Sequence, residues 1–597
     1  MNFPKTYLAA LLAVITSIVV LIPILFIAAI GWFASLANSQ EVVPVSNNSV
    51  LEIKLNSQIV ENASPDPLDL DLEKLFPLPG ANLANKMGLY QIIQNIEKAK
   101  EDDRINGIYL TLDPFNSVGW ASLSAIRDAL VDFKSSEKFI VAYSEIYSEN
   151  TYYLASVADE IYLPKIGALE FNGLSAVPMF YKGLFDKVGV TPKIFKVGTF
   201  KSAVEPYFRK DMSKESRMQT EEYLNDFWDI FRKEVAEARN LTEAKIDDLA
   251  TNLIAADGEE ATKAGLADGA KYEDEVLAIL LDKNGQNEDD KLKKISLKKY
   301  MQVPSGAELK KNKIAVVVAE GVIVSGKSSD GNVGSATLIK NLRAARNDDN
   351  VKAIVLRVNS PGGSALASDM MAQEVRLCSK KKPTIVSMGN LAASGGYYIS
   401  AYGDRIFAQE NTITGSIGIF GVLYDGNKAM AEKIGITFDQ VKTHENANVG
   451  DPRLPWTKNA EDYIQNNIYK GYSTFINVVK EGRGFADSVA VDKIAQGRVW
   501  SGKDALGINL VDEIGTLKDA LAYAAEQAGV TDDFRVQMLP VSKSPIEEIM
   551  SDLGAAQAQE LAKELNVDEE LKMLKEIKKL IPQSGTYALM PMNIEIR

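Results

Sequence analysis

Thr384-Ile-Val-Ser-Met388 is followed by Ala392-Ala-Ser-Gly-Gly-Tyr-Tyr-Ile-Ser400, and about 245 residues earlier Phe139-Ile-Val-Ala-Tyr143 is followed by Glu149-Asn-Thr-Tyr-Tyr-Leu-Ala155. Each block reads as a short buried strand leading into a helix that carries a tyrosine pair. The same offset recurs on either side. Ile108-Tyr-Leu-Thr-Leu112 answers Ile354-Val-Leu-Arg-Val358, and a helix expected over 123–133 answers one over 367–377. Asp159-Glu-Ile161 answers Asp404-Arg-Ile406, and Asp186-Lys-Val-Gly-Val190 answers Glu432-Lys-Ile-Gly-Ile436. Strands alternating with helices predict a parallel sheet, and the constant offset predicts two α/β domains of common design.

The boundary between them falls in 283–311, where Asn284-Gly285, Glu288-Asp-Asp290 and Pro304-Ser-Gly306 suit an exposed connection. One domain is thus expected over 50–282 and the other over 312–535. Residues 536–597 form a tail, read as amphipathic helix rich in Glu and Lys over 544–579. At the other end, Tyr7 to Phe33 is almost wholly apolar and uncharged, long enough to span a bilayer. A removed signal peptide usually has a shorter apolar region, although Ser35-Leu-Ala37 resembles a cleavage site. The length favours a retained anchor within 1–40. Lys5 precedes the span and Glu41 follows it, so the N-terminus is expected in the cytoplasm and the body outside.

Composition removes several classes of function. The net charge is −14 with no local basic stripe, which argues against nucleic-acid binding. One cysteine, Cys378, cannot form an intramolecular disulfide, and with one histidine there is no Cys/His set for zinc. No metal and no cofactor are expected. His444 lies in the polar stretch Lys442-Thr-His-Glu-Asn446 and reads as solvated, so a hydrolase built on this chain needs another base.

The chemistry sits where the halves differ. Asn359-Ser-Pro-Gly-Gly-Ser364 follows a strand and precedes a helix, and its glycines can turn backbone N–H groups toward a ligand. The loop lacks the P-loop lysine and the dinucleotide-binding glycine spacing, which leaves an oxyanion hole or a plain turn. Ser394, flanked by small residues at a helix start, is either a nucleophile or an N-cap. Aligning the tyrosine pairs sets Glu149 opposite Ser394, whereas Lys201 of Val197-Gly-Thr-Phe-Lys-Ser202 falls opposite Ala447. One half keeps a candidate nucleophile and the other a candidate base. A lysine serves as base only when desolvation lowers its pKa, and the competing reading of Lys201 is a surface ion pair with Glu205.

Four segments in one order carry a resemblance: Val197-Gly-Thr-Phe-Lys-Ser-Ala-Val-Glu-Pro206, Arg357-Val-Asn-Ser-Pro-Gly-Gly-Ser364, Ala392-Ala-Ser-Gly-Gly-Tyr-Tyr398 and Thr414-Gly-Ser-Ile-Gly-Ile-Phe420. Over roughly residues 50–535 the chain resembles the long form of the signal peptide peptidase A (protease IV) family. The resemblance implies tandem Clp-protease/crotonase-like domains, with Ser394 as nucleophile, Lys201 as base and Ser416 orienting the lysine amine. It implies an oxyanion hole from the Gly395 N–H and that of Gly362 or Gly363. Apolar peptides such as remnant signal peptides are the implied substrates, at the outer face of a bacterial inner membrane and in contact with its lipid. The implied assembly is a homo-oligomer, with a tetramer favoured. Two readings compete, a crotonase-type acyl-CoA enzyme and a catalytically silent membrane scaffold.

Overall fold

Ile354-Val-Leu and Ile385-Val are apolar on every residue, as parallel strands covered on both faces require. In the computed structural model they lie at the centre of an all-α/β second half. Described are residues 44–63, 86–112, 118–304, 310–329 and 331–541, together with the backbone of 585–589. The expected membrane anchor and the expected helix over 544–579 lie outside those residues. Among the described residues no helix is long and apolar enough to cross a membrane.

In the first half a parallel sheet runs Gly269–Ala270, Glu160–Leu163, Phe139–Tyr143, Ile105–Thr111, Ser49–Lys54, Lys294–Ser296. In the second half the matching order is Glu513–Ile514, Arg405–Ala408, Thr384–Ala393, Val351–Ser360, Lys313–Glu320, Arg535–Leu539. Helices repeat with equal lengths: Trp120–Lys134 and Ala365–Ser379 have 15 residues each, Lys214–Arg239 and Lys458–Arg483 have 26 each. The duplication expected from the offset is therefore present element by element.

Two boundaries differ from the sequence reading. Lys294–Ser296 is an edge strand of the first sheet, and Leu297 and Tyr300 are buried, so the region read as a linker belongs largely to the first half. The stretch expected as a tail over 536–597 contributes strands on either side of the segment read as helix. Arg535–Leu539 pairs with Lys313–Val317 in the second sheet, and Gly585–Leu589 joins a third sheet. That third sheet draws on both halves, in the order Asn332–Gly334, Val322–Val324, Gly362–Ser364, Gly585–Leu589, Phe420–Asp425, Thr191–Lys196.

The halves interlock beyond that sheet. Phe195 belongs to the apolar core of the second half, while Ile413 and Val499 belong to that of the first. Asn390 accepts the Ser122 N–H at 2.9 Å and donates to Ser122 Oγ at 2.8 Å. The deepest link is ionic. Arg357, where the Val351–Ser360 strand approaches the glycine loop, donates to Glu61 through Nε (2.8 Å) and Nη2 (3.2 Å). Its Nη1 donates to Ser387 Oγ and to the Met388 carbonyl, and both side chains of the ion pair are 2% exposed. The Glu61 N–H in turn donates to the Glu320 carboxylate.

Removing one partner of such a pair strands a buried charge. Glu61→Ala is expected to lower the unfolding free energy by about 3–5 kcal/mol. Asp186→Ala, which breaks the exposed Lys182–Asp186 pair, is expected to change it by about 0.5 kcal/mol or less. Denaturant titration of both variants checks the contrast.

Candidate active site

Ser394 ends the Thr384–Ala393 strand and precedes the Gly395–Ser400 helix, with φ +56° and ψ −111°. For a residue with a Cβ this conformation is strained, by roughly 1–3 kcal/mol, and persists only where the surroundings enforce it. They do so from both sides. The Ser394 N–H donates to the Gly415 carbonyl and its own carbonyl accepts the Tyr398 N–H, both at 2.8 Å. The tyrosine pair anchors the helix, Tyr397 donating to the Leu510 carbonyl at 2.9 Å and Tyr398 to Asp369 at 2.8 Å. Ser394 makes no side-chain cap bond, so the N-cap reading fails and the hydroxyl is left for other partners.

Lys201 arrives from the other half. Thr191–Lys196 pairs antiparallel with Phe420–Asp425, the Val197 N–H continues that pairing to the Ile419 carbonyl, and the Phe200 N–H donates to the Gln496 carbonyl. The lysine stem then threads between two glycines. A Cβ on Gly497 would stand 2.6 Å from Lys201 Cβ, and one on Gly418 would stand 3.2 Å from its Cδ. Buried Gln219 locks this entry, donating to the Phe200 carbonyl and Ser202 Oγ and accepting the Val499 N–H.

The lysine amine lies 2.8 Å from Ser394 Oγ, 2.9 Å from the Ser416 carbonyl and 3.0 Å from Ser416 Oγ. Lys201, Ser394 and Ser416 are each 0% exposed. Among the described residues no carboxylate is a partner of the amine. Glu205, the rival partner considered from sequence, instead accepts the Ser213 N–H at 2.9 Å. Burial alone holds the Lys201 amine well below its ordinary pKa of 10.5. His444 is exposed, 3.0 Å from Thr443 Oγ1.

The glycine loop closes over the same point. A Cβ on Gly396 would stand 2.6 Å from the Ser360 carbonyl, and one on Gly363 would stand 2.0 Å from the Ile323 carbonyl, so neither position admits a side chain. The Gly362 N–H donates to Ser360 Oγ at 3.1 Å, and Ser360 Oγ donates to the Gly321 carbonyl at 2.6 Å. Gly362 is thus engaged in shaping the loop. Gly395 opens its helix, where an N–H has no intrahelical acceptor.

In the first half, Glu149 occupies the position equivalent to Ser394. Its carboxylate accepts the N–H groups of Asn172 and Gly173, and burial pushes it up to about 7. The first half holds a carboxylate where the second holds a hydroxyl. The sequence identified Ser394, Lys201 and Ser416, and the structure brings all three together within one chain. It missed Gln219 and Gly497, since nothing local marks a residue as packing against a lysine stem roughly 20 or 300 positions away.

Comparison with known proteins follows the same division. The profile of Peptidase family S49 matches residues 132–287 and again 376–531. The profile of Clp protease matches residues 305–414. Protease 4 of Haemophilus influenzae is 36% identical over 573 residues, covering 92% of this chain and 91% of its own length. Protease 4 of Salmonella typhi is 37% identical over 450 residues, 74% of this chain and 72% of its own. The chloroplastic serine protease SPPA of Arabidopsis thaliana is 32% identical over 483 residues, 79% and 70% respectively. The two family matches confirm a tandem duplication of a Clp-protease-like α/β domain.

A lysine forced neutral by burial has a thermodynamic signature. Its folded pKa lies below 10.5, so between those two values the unfolded chain binds more protons and stability rises with pH. Lys201→Met removes that linkage. The variant is expected to melt at a higher temperature than the parent at pH 7, with the gap closing as pH approaches 10.5. Calorimetry across this range checks it, and a gap independent of pH contradicts it.

Proposed function

The chain belongs to peptidase family S49 and is a serine protease of the signal peptide peptidase A type, and from that premise we propose that it hydrolyses apolar peptides through a Ser394/Lys201 dyad. The observation that carries this reading is the contact at 2.8 Å between an amine without a counter-charge and the hydroxyl of a strained serine. A neutral amine has two hydrogens and one lone pair. The Ser416 carbonyl and Ser416 Oγ take the two hydrogens, and the lone pair is left to accept the Ser394 O–H. Ser416 thereby orients the base.

Lys201 takes the Ser394 proton as Oγ attacks the peptide carbonyl carbon. The oxygen that becomes negative is received by the N–H groups of Gly395 and Gly363, donors fixed before the reaction begins. The lysine ammonium then protonates the leaving amine, and the C–N bond breaks to give an acyl-enzyme. Water, deprotonated by the same amine, hydrolyses the ester and restores the dyad. Burial serves both directions, since lowering the lysine pKa frees the amine to accept a proton and eases its return.

Substrates lie extended between Gly362–Ser364 and Phe420–Asp425, taking the place that Gly585–Leu589 holds in this structure and pairing by main-chain hydrogen bonds with both strands. Remnant signal peptides suit such a site, being apolar and released at a bilayer. The apolar stretch Tyr7 to Phe33 anchors the chain there, with the catalytic body on the extracytoplasmic side. Helices Lys182–Val188 and Ala429–Ile434, at equivalent places in the two halves, bury none of their residues and offer surfaces for assembly into a tetramer.

Ser394→Ala and Lys201→Ala are each expected to lower kcat for an apolar reporter peptide by at least about 10⁴-fold with unchanged circular dichroism. Lys201→Arg is expected to be as inactive, because a guanidinium stays charged. In the parent, kcat/KM should fall as pH drops through the depressed lysine pKa and hold above it. Substantial activity in either alanine variant contradicts the dyad.

A further inference from the structure

Besides Gln219, the first-half helix Lys214–Arg239 sends two more side chains to the second half. Glu222 pairs with Arg498 at 2.6 Å, and Asp226 accepts from Ser501 Oγ at 2.7 Å and from Lys503 Nζ at 3.1 Å. Positions 219, 222 and 226 share one helix face, so all three grip a single stretch, residues 498–503. That stretch and the residues just before it surround the amine. The Gln496 carbonyl accepts the Phe200 N–H, Gly497 lies against the Lys201 stem, and the Gly497 N–H donates to the Ile417 carbonyl at 2.8 Å. The Arg498 carbonyl accepts the Ser416 N–H at 2.6 Å. Ser416 and Gln496 have φ of +50° and +55°, conformations that residues with a Cβ keep only under outside constraint. The Arg498 guanidinium supplies one. Its carbon lies 5.3 Å from the centre of the Phe200 ring and 3.9 Å from that of Trp500, which ties the residue before Lys201 to the strand Val499–Ser501.

We propose that Arg498 is a positioning residue for the base: its side chain, lying over Phe200 and Trp500 and held by Glu222, keeps residues 495–499 pressed against both Lys201 and Ser416. The inference rests on the dyad reading above. Arg498 acts through Phe200 on the lysine and through its own carbonyl on Ser416. Without the guanidinium the Phe200 loop and the 495–499 segment loosen together. Ser416 then no longer takes the amine's hydrogens, and water reaches Lys201. A hydrated amine regains its proton over part of the pH range in which the parent works. The charged groups around Arg498 are Glu222 and Asp504, with Asp226 and Lys503 beyond them. Among the described residues none of these is a partner of the amine, so an acid limb that moves reports on Lys201.

The test compares full-length parent, Arg498→Ala, Arg498→Lys and Lys201→Ala on an apolar reporter peptide, across the acid limb of kcat/KM. Arg498→Ala is expected to lose kcat by about 10- to 100-fold at pH 7 with KM within about twofold. The midpoint of its acid limb should rise by about one unit, part of the several that full burial can impose. Arg498→Lys keeps a cation for Glu222 but has no plane to lay over two rings, and its midpoint should rise by about half a unit. A merely structural Arg498 would lower the melting temperature of either variant and leave the midpoint of the folded molecules unmoved. That result overturns this inference and leaves the dyad reading intact. If Arg498→Ala does not fold, Arg498→Lys decides in the same way. Parental activity in Lys201→Ala overturns the dyad reading and this inference with it.

Discussion

The proposed chemistry turns on keeping one amine dry, and the fold buries Lys201 completely. A lysine in water holds its proton at neutral pH, so Lys201 can act as the proposed base only because the fold removes it from solvent without giving it a carboxylate. It does so by bringing the lysine out of the first half and inserting it into the second. Gly418 and Gly497 leave room for the stem, and Ser416 supplies two uncharged acceptors. A carboxylate in place of either acceptor would raise the pKa and undo the effect. The strained backbone of Ser394 is the other half of the constraint, since it holds Oγ 2.8 Å from the amine.

Such a site needs two bodies held in fixed relation, which explains the interlocked halves. A duplicated domain whose copies merely touched would let the amine drift. Here the halves share a mixed sheet, exchange apolar side chains between cores and meet in the buried Arg357–Glu61 pair directly beneath the glycine loop. The duplication freed each copy to specialise. Glu149, satisfied by two backbone N–H groups, sits where the second half carries Ser394, and the first half contributes Lys201 in return.

Much of this was legible in the sequence because it is written locally. The repeat showed in matched strands and tyrosine pairs, and Ser394 in the lack of bulk around it. Lys201 emerged from what its counterpart at Ala447 lacks. The elements that escaped depend on distant partners. Arg357 looks like the end of a buried strand until Glu61, nearly 300 residues away, neutralises it, and the strand in fact runs on to Ser360. Lys294–Ser296 read as linker because its charged flanks hide Ile295, which the first sheet buries. The strand at Gly585–Leu589 pairs with residues more than 150 positions earlier, and no local pattern announces such a pairing.

The most direct measurement is the pH dependence of covalent labelling by a peptidyl phosphonate, with the modified residue mapped by mass spectrometry. The account predicts a label on Ser394, formed at a rate that falls away in acid with a midpoint well below 10.5 and is abolished when Lys201 is replaced by alanine. A label on another residue, or one that forms on Ser394 as readily without Lys201, would contradict it.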